Sequence, residues 1–248
     1  MNRPAGHGWI FLNGKRIAAT AARISPLSDG FLFGLGLFET IKVLGGRLVF
    51  FADHFARLRR GAAELSLPFA TPVDELRAHC LDCLAANQLV DGALKIVVFQ
   101  DAAGVSELVL TRPPAYHPEH YARGFRLQTV RDGRRENKIC GLKTLNYLKC
   151  VVAKRAAQAA GCDEALFVDS GGRVLEGSTS NVFVVKDGAV LTPALDQGIL
   201  RGIARSRVLQ LLAKEIVREG VVPTPLLFEA DDVFVSNSLL GVMPVARI

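Results

Sequence analysis

Long apolar runs are missing from this 248-residue chain. Its hydrophobic stretches are short and broken by charge, well under the roughly 20 apolar residues a membrane-crossing helix needs. The opening MNRPAGHGWIFLNG also lacks the apolar region of a signal peptide, so a cytoplasmic protein is the expectation. Cysteine is sparse: there are five, Cys80, Cys83, Cys140, Cys150 and Cys162, and only the first two stand at C-x-x-C spacing. With an odd total and no second pair at zinc spacing, neither a disulfide framework nor a metal site is expected, and Cys80 and Cys83 read as core thiols. A basic tail is absent too. The net charge of +6 is dispersed, its densest groups being Arg57, Arg59, Arg60 and Arg131, Arg134, Arg135, Lys138, each mixed with apolar or acidic neighbours. Without alternating basic and aromatic residues, nucleic-acid binding is not indicated. A small anionic substrate or cofactor suits the excess charge equally well.

What is present is the composition of a globular protein, half hydrophobic and 22% charged. WIFLNGKRIA and TIKVLGGRLVFF each place two strand-like runs around a glycine-containing turn, the pattern of a tight hairpin. ADHFARLRRGAAELS repeats Phe55, Leu58, Ala62 and Leu65 at helical spacing, and PVDELRAHCLDCLAANQL is a second amphipathic helix. Strands ALKIVVFQ and ELVLTR follow, and then PPAYHPEHYA (113–122), which reads as a linker. Beyond it come strand RLQTVRDG, a long Ala-rich helix over TLNYLKCVVAKRAAQAAG with a glycine stop, strand pairs in EALFVDSGGRVLEGS and NVFVVKDGAVLTP, helix GIARSRVLQLLAKEI and a strand-like ending. The pattern predicts an α+β protein of two domains, residues 1–117 and 118–248.

One stretch raises a chemical question. LKTLNYLK puts Lys143 four residues before Tyr147 with no charged residue between them. A lysine that holds an aldehyde cofactor as a Schiff base is one answer, a solvated helix start the other. An enzyme using pyridoxal phosphate needs such a lysine, an anion at the pyridine nitrogen, a cation and free N–H groups for the phosphate, and a partner for the phenolic oxygen. The chain offers a residue for each. Lys143 is the Schiff-base lysine; Tyr147, expected on the same helix face, is the phenolic-oxygen partner. Glu176 in VLEGSTSNVF is the carboxylate and Arg57 the phosphate cation. The helix start at Ile203 and Ala204, with Ser238, supplies N–H groups and a hydroxyl. Taken singly, each is compatible with a structural role.

Their order along the chain resembles the class IV (fold type IV) pyridoxal-phosphate aminotransferase family. DGFLFGLGLFETIKV, HFARL, LKTLNYL, DEALFVDSGGRVLEGSTSNVF, TPALDQGILRGIAR and NSLLGVMPV carry the resemblance from Asp29 to Val245. It implies a D-amino-acid aminotransferase-like fold with a small N-terminal α/β domain and a larger C-terminal one that carries the Schiff-base lysine. It also implies a homodimer, with pyridoxal 5'-phosphate bound between the domains. By resemblance Lys143 is the catalytic lysine, Arg57 the phosphate arginine and Glu176 the pyridinium partner. Within the family, VSNSLLGVMPV is similar to 4-amino-4-deoxychorismate lyases, which release 4-aminobenzoate and pyruvate in a step toward folate. Asn237 stands where aminotransferases generally carry a Gly or small hydroxyl residue, and Gly241 where they commonly carry an acid. Thr40 and Asn237 are the expected substrate contacts, Asn237 being equally compatible with a turn role. A D-amino-acid or branched-chain aminotransferase of the same fold is the alternative, and a non-catalytic cofactor-binding homologue a remoter one. Two departures stand out: the loop QDAAGVS lacks the arginine that lyases carry there, and GIAR replaces the usual GITR, leaving Ala204 without a hydroxyl.

Overall fold

The computed structural model describes residues 8–132, 138–212 and 216–248. Arg134 and Arg135 of the second basic group, and residues 213–215 of the expected helix GIARSRVLQLLAKEI, lie outside them. The chain divides into two compact units, residues 1–115 with 143–146, and residues 116–142 with 147–248.

In the first unit, β1 (Trp9–Leu12) and β2 (Lys15–Ala18) form the expected hairpin. Both turn residues, Asn13 and Gly14, have positive φ (51° and 73°), which is why Asn-Gly suits the site. The short helix α1 (Asp29–Leu32), capped by Ser28, precedes β3 (Gly36–Leu44) and β4 (Arg47–Leu48). Helices α2 (Phe51–Glu64) and α3 (Val73–Ala86) follow, then β5 (Gly92–Asp101) and β6 (Gly104–Arg112). The strands make one antiparallel sheet in the order β2-β1-β6-β5-β3-β4. Helix α2 turns Phe51, His54, Leu58 and Ala62 inward at helical spacing. QDAAGVS is not a loop. Gln100 and Asp101 pair with Val105 and Gly104, leaving only Ala102 and Ala103 as the turn. The Asp101 carboxylate closes it by accepting from Ala102 N (2.8 Å) and Ser106 Oγ (3.2 Å). Cys80 and Cys83 are fully buried free thiols, as expected of core residues.

The helix expected to begin at Thr144 begins later. Residues 143–146 run beside β3, where Leu37 bridges to Thr144, Phe38 N donates to Lys143 O (2.9 Å) and Leu145 N donates to Gly36 O (2.9 Å). Backbone groups committed to a neighbouring strand cannot also close helical turns. Helix α5 (Leu148–Ala159) in the second unit therefore starts only after Tyr147. Lys143 accordingly groups with the first unit rather than with the C-terminal domain, and it shares no helix face with Tyr147.

The second unit opens inside the expected linker, because helix α4 (Pro118–Arg123) forms there and Tyr121 Oη donates to Leu240 O (2.7 Å). Strand β7 (Phe125–Arg131) precedes α5, which β8 (Glu164–Val168), β9 (Arg173–Gly177), β10 (Asn181–Lys186) and β11 (Ala189–Pro193) follow. Then come α6 (Ile203–Leu211), β12 (Val217–Gly220), β13 (Val222–Pro223), α7 (Leu226–Glu229), β14 (Asp232–Asn237) and β15 (Gly241–Arg247). Its mixed sheet runs β12-β11-β10-β14-β15-β7-β8-β9-β13. Leu127, Leu166, Val182, Val184, Val235 and Met243 form the main core, and Ala157, Phe167 and Ile199 a smaller one under α5. Among the described residues no helix is long and apolar enough to cross a membrane.

Gly36 is where β3 meets both neighbours. A Cβ there would lie 2.6 Å from Val98 O and 2.7 Å from Leu145 Cδ1. Gly36→Ala is expected to cost about 1–3 kcal/mol, the usual range for overpacking. Urea unfolding checks this, and an unchanged midpoint would show that the strand spacing yields easily.

Candidate active site

In the first unit, two consecutive β3 residues gather the cations. The Lys143 ammonium lies 4.5 Å from the centre of the Phe38 ring, and that of Lys95 from β5 lies 4.3 Å from the same ring. Such contacts favour a cation over an aromatic face, more so where water is scarce. Thr40 is the register partner of Lys95, so its side chain points to the Lys95 face of the sheet. Burial, followed by the charge of Arg112, brings the Lys95 pKa down to about 8. Sequence reasoning missed Lys95. The alternation of ALKIVVF marks it as an inward polar position in a strand otherwise filled with apolar side chains, and that was the available signal.

Glu39, the next residue, is held by α2. Arg57 grips it with two parallel bonds, Nε to Oε1 (2.7 Å) and Nη2 to Oε2 (2.6 Å), and His54 Nδ1 lies 2.6 Å from Oε2. Helical spacing puts His54 and Arg57 on one face of α2, three residues apart. Burial alone would raise the Glu39 pKa. The Arg57 charge, the Arg57 and His54 hydrogen bonds and the His54 charge outweigh it and bring the value to about 2.

In the second unit, Glu176 sits one residue from the end of β9, 8% exposed, and accepts from Leu200 N (2.9 Å). Tyr147 donates to Ser178 O (2.8 Å). Burial, then neighbouring Cys150 and the carboxylates of Glu176 and Glu164, push its phenol well above the ordinary value. The hydroxyl therefore stays protonated. Its single proton already serves Ser178, so it must turn away from that carbonyl to donate elsewhere. Behind this turn lies a carboxylate that sequence reasoning also missed. Glu164 is 1% exposed and accepts from Thr179 N (2.5 Å), Thr179 Oγ1 (2.9 Å), Ser178 Oγ (3.1 Å), Ser180 Oγ (3.3 Å) and Lys154 Nζ (3.1 Å). The run of small hydroxyl residues in EGSTSN was its signal.

Ile203 and Ala204 open α6 behind Gly202, an N-cap residue with no side chain to satisfy their N–H groups. Unpaired N–H groups at a helix start favour an anion in general. Gly202 has an ordinary negative φ, so glycine is required there for space: a Cβ would overlap Asn181 Oδ1. Ser238 lies in the turn between β14 and β15. Asn237 closes that turn. Its Oδ1 accepts from Leu239 N and Leu240 N (both 2.9 Å), and its Nδ2 donates to Thr179 O (3.1 Å). Its oxygen is thus committed to the turn backbone, which is the turn role, while its Nδ2 also lies 3.5 Å from Tyr116 Oη.

The sequence profile of amino-transferase class IV matches residues 36–248, and the chain belongs to that family. It is 33% identical, over 96% of its length and 87% of the relative's, to a Methanocaldococcus jannaschii protein named a branched-chain-amino-acid aminotransferase. It is 32% identical to the D-alanine aminotransferase of Staphylococcus aureus, over 96% and 88% of the two chains. Among solved structures, 4-amino-4-deoxychorismate lyase from Pseudomonas aeruginosa superposes with a TM-score of 0.81 at 31% identity, covering 96% of this chain and 90% of that one. The T.th. branched-chain amino acid aminotransferase, solved with pyridoxamine 5'-phosphate, gives a TM-score of 0.85 at 26% identity, covering 98% and 86%. The chain is therefore a pyridoxal-phosphate enzyme of fold type IV. A lysine, a buried carboxylate, a tethered arginine and an uncapped helix start fit the chemistry of that cofactor.

The Glu39 cluster predicts an acid limit. A carboxylate depressed in the fold contributes its full stabilisation above its ordinary pKa of 4.5, and that contribution is lost as pH falls toward about 2. Urea midpoints measured across this window should decline in the wild type, and Glu39→Gln should lack that component of the decline.

Proposed function

We propose that this class IV enzyme is a 4-amino-4-deoxychorismate lyase. The observation that carries the reading is the closing hairpin. Asn237 and Gly241, the two positions where the sequence departs from aminotransferases toward lyases, are direct register partners at the β14–β15 turn. Gly241 has φ of 71°, a conformation any other side chain adopts only at a cost, which disfavours the acid found there in aminotransferases. Identity does not separate the two readings, being 31% to a solved lyase and 32–33% to the aminotransferases.

Pyridoxal phosphate, when bound, supplies an aldehyde for the substrate amine and a ring that accepts electrons from the amine-bearing carbon. Lys143 would hold it, and its amine would accept the proton of that carbon. Glu176 serves as the anionic partner of the ring nitrogen. Arg57 is the phosphate cation, and the Ile203 and Ala204 N–H groups, with Ser238, offer the phosphate hydrogen bonds. Tyr147 offers its hydroxyl to the phenolic oxygen. Lys95 and Thr40 address the substrate. A substrate with two carboxylates needs a cation that the β5–β6 turn does not supply, and Lys95 lies on the same ring as Lys143. We also read the chain as a homodimer, because Leu27, Phe31 and Phe33 are each at least 70% exposed around α1. Light scattering at working concentration tests that reading, and a monomer would sink it.

The decisive incubation uses cofactor-loaded protein with aminodeoxychorismate and no keto acid. Release of 4-aminobenzoate by the wild type, and none by Lys143→Ala, is the expected result. Amine transfer from an amino acid to a keto acid, without that release, would instead favour the aminotransferase reading that the 32–33% identical relatives support.

Lys95 also predicts a pH effect. Its ammonium is present below about 8 and is lost as pH rises through that value. The KM for a dicarboxylate substrate should rise above pH 8 in the wild type, whereas Lys95→Met should show a high KM with little change over the same range.

A further inference from the structure

We propose that Glu39, backed by His54, is the positioning residue that aims Arg57 at the cofactor phosphate. This rests on Arg57 being the phosphate cation. It goes further in assigning a task to a buried carboxylate bonded to Arg57 and His54.

The geometry carries the assignment. A guanidinium has five N–H donors in one rigid plane. Two parallel bonds to one carboxylate fix both its plane and its rotation within that plane. Glu39 is itself fixed, being 1% exposed, on the central part of β3, and in contact with His54 through Oε2. Because Glu39 is ionised down to about pH 2, that contact requires the proton on His54 Nδ1. His54 Nε2 is then left without a hydrogen-bond partner among the described residues, inside a side chain 1% exposed. An orphaned buried nitrogen is unfavourable, and an aliphatic side chain would avoid it. What histidine adds at this place is the bond to Glu39.

Charge alone predicts the opposite of positioning, which makes the idea testable. A carboxylate beside Arg57 cancels its field, so deleting that charge should strengthen phosphate binding if only electrostatics matter. If Glu39 aims Arg57, deleting it should weaken binding. The probes are pyridoxal 5'-phosphate and pyridoxal, which lacks the phosphate, titrated calorimetrically into the cofactor-stripped full chain. Arg57→Ala should abolish most of the preference for the phosphorylated form; if it does not, the reading of Arg57 fails, whatever Glu39 does. Glu39→Gln should raise the Kd for pyridoxal 5'-phosphate about 10-fold or more, the scale of a lost hydrogen bond to a charged group, and leave pyridoxal within about 2-fold. Glu39→Asp keeps the charge but shortens the reach, and should behave like Glu39→Gln. In the Arg57→Ala background Glu39→Gln should cause no further loss. Tighter or unchanged phosphate binding by Glu39→Gln, or wild-type binding by Glu39→Asp, overturns the proposal. So does an equal loss for both probes, which would mark Glu39 as merely structural. Circular dichroism confirms folding, and should Glu39→Gln fail to fold, Glu39→Asp and His54→Asn carry the same comparison, with loss confined to the phosphorylated probe expected.

Discussion

Two backbone hydrogen bonds, Phe38 N to Lys143 O and Leu145 N to Gly36 O, hold the candidate lysine in place. They draw four residues from the middle of the chain onto a sheet built from its first 112 residues, and they delay the following helix until Leu148. A lysine in the first turn of a helix would have frayed ends and solvent around it. Pinned against β3, Lys143 instead has an aromatic ring beside its ammonium and a backbone whose direction a strand determines. Gly36 permits the arrangement, since any side chain there would meet Val98 O and Leu145 at once.

The same strand organises the first unit's other cation. Side chains alternate along β3, so Phe38 and Glu39 face opposite ways, one toward Lys143 and Lys95 and the other toward His54 and Arg57 of α2. The second unit repeats the principle with a different chemistry. Glu164 collects donors from three consecutive residues, Ser178, Thr179 and Ser180, and so fixes the turn that follows Glu176. Tyr147 and Asn237 bond to carbonyls of that same turn, at Ser178 and Thr179. Buried carboxylates are costly unless fully partnered. Here the partners are the groups whose orientation matters.

Much of this was legible in the sequence, for identifiable reasons. The hairpins at Asn13-Gly14 and Gly45-Gly46 were readable because positive φ restricts the residue choice. Helix α2 was readable because one face must be apolar, and Glu176 and the glycine before Ile203 because strand and helix ends have local signatures. The extended course of residues 143–146 was not, since TLNYLK continues smoothly into a good helix sequence and only a partner 107 residues away in the chain, Leu37 bridging to Thr144, overrides that propensity. The helix α4 inside a proline-rich stretch escaped for the same kind of reason, its anchor being Leu240. Glu39, Lys95 and Glu164 look like ordinary charged residues in a string of letters. Their partners are distant in sequence, and only the fold buries Glu39 and Glu164 and sets Lys95 against the Phe38 ring.

Asn237 shows how this bears on function. Read as a letter, it could contact substrate or shape a turn. Its oxygen takes two amides of the 238–240 turn and its nitrogen reaches Thr179 O, so it ties two turns of the second unit together. A serine at that position lacks the second arm and could cap the turn without tying it, and a glycine could do neither. The departure at Gly241 acts on the same hairpin, where glycine accommodates a positive φ that would strain another residue. These residues would then separate lyase from aminotransferase through the shape of a loop that carries Ser238. Specificity in this family would be written partly in backbone geometry, with substrate-facing charge supplied elsewhere, from strands such as β5 that carry Lys95.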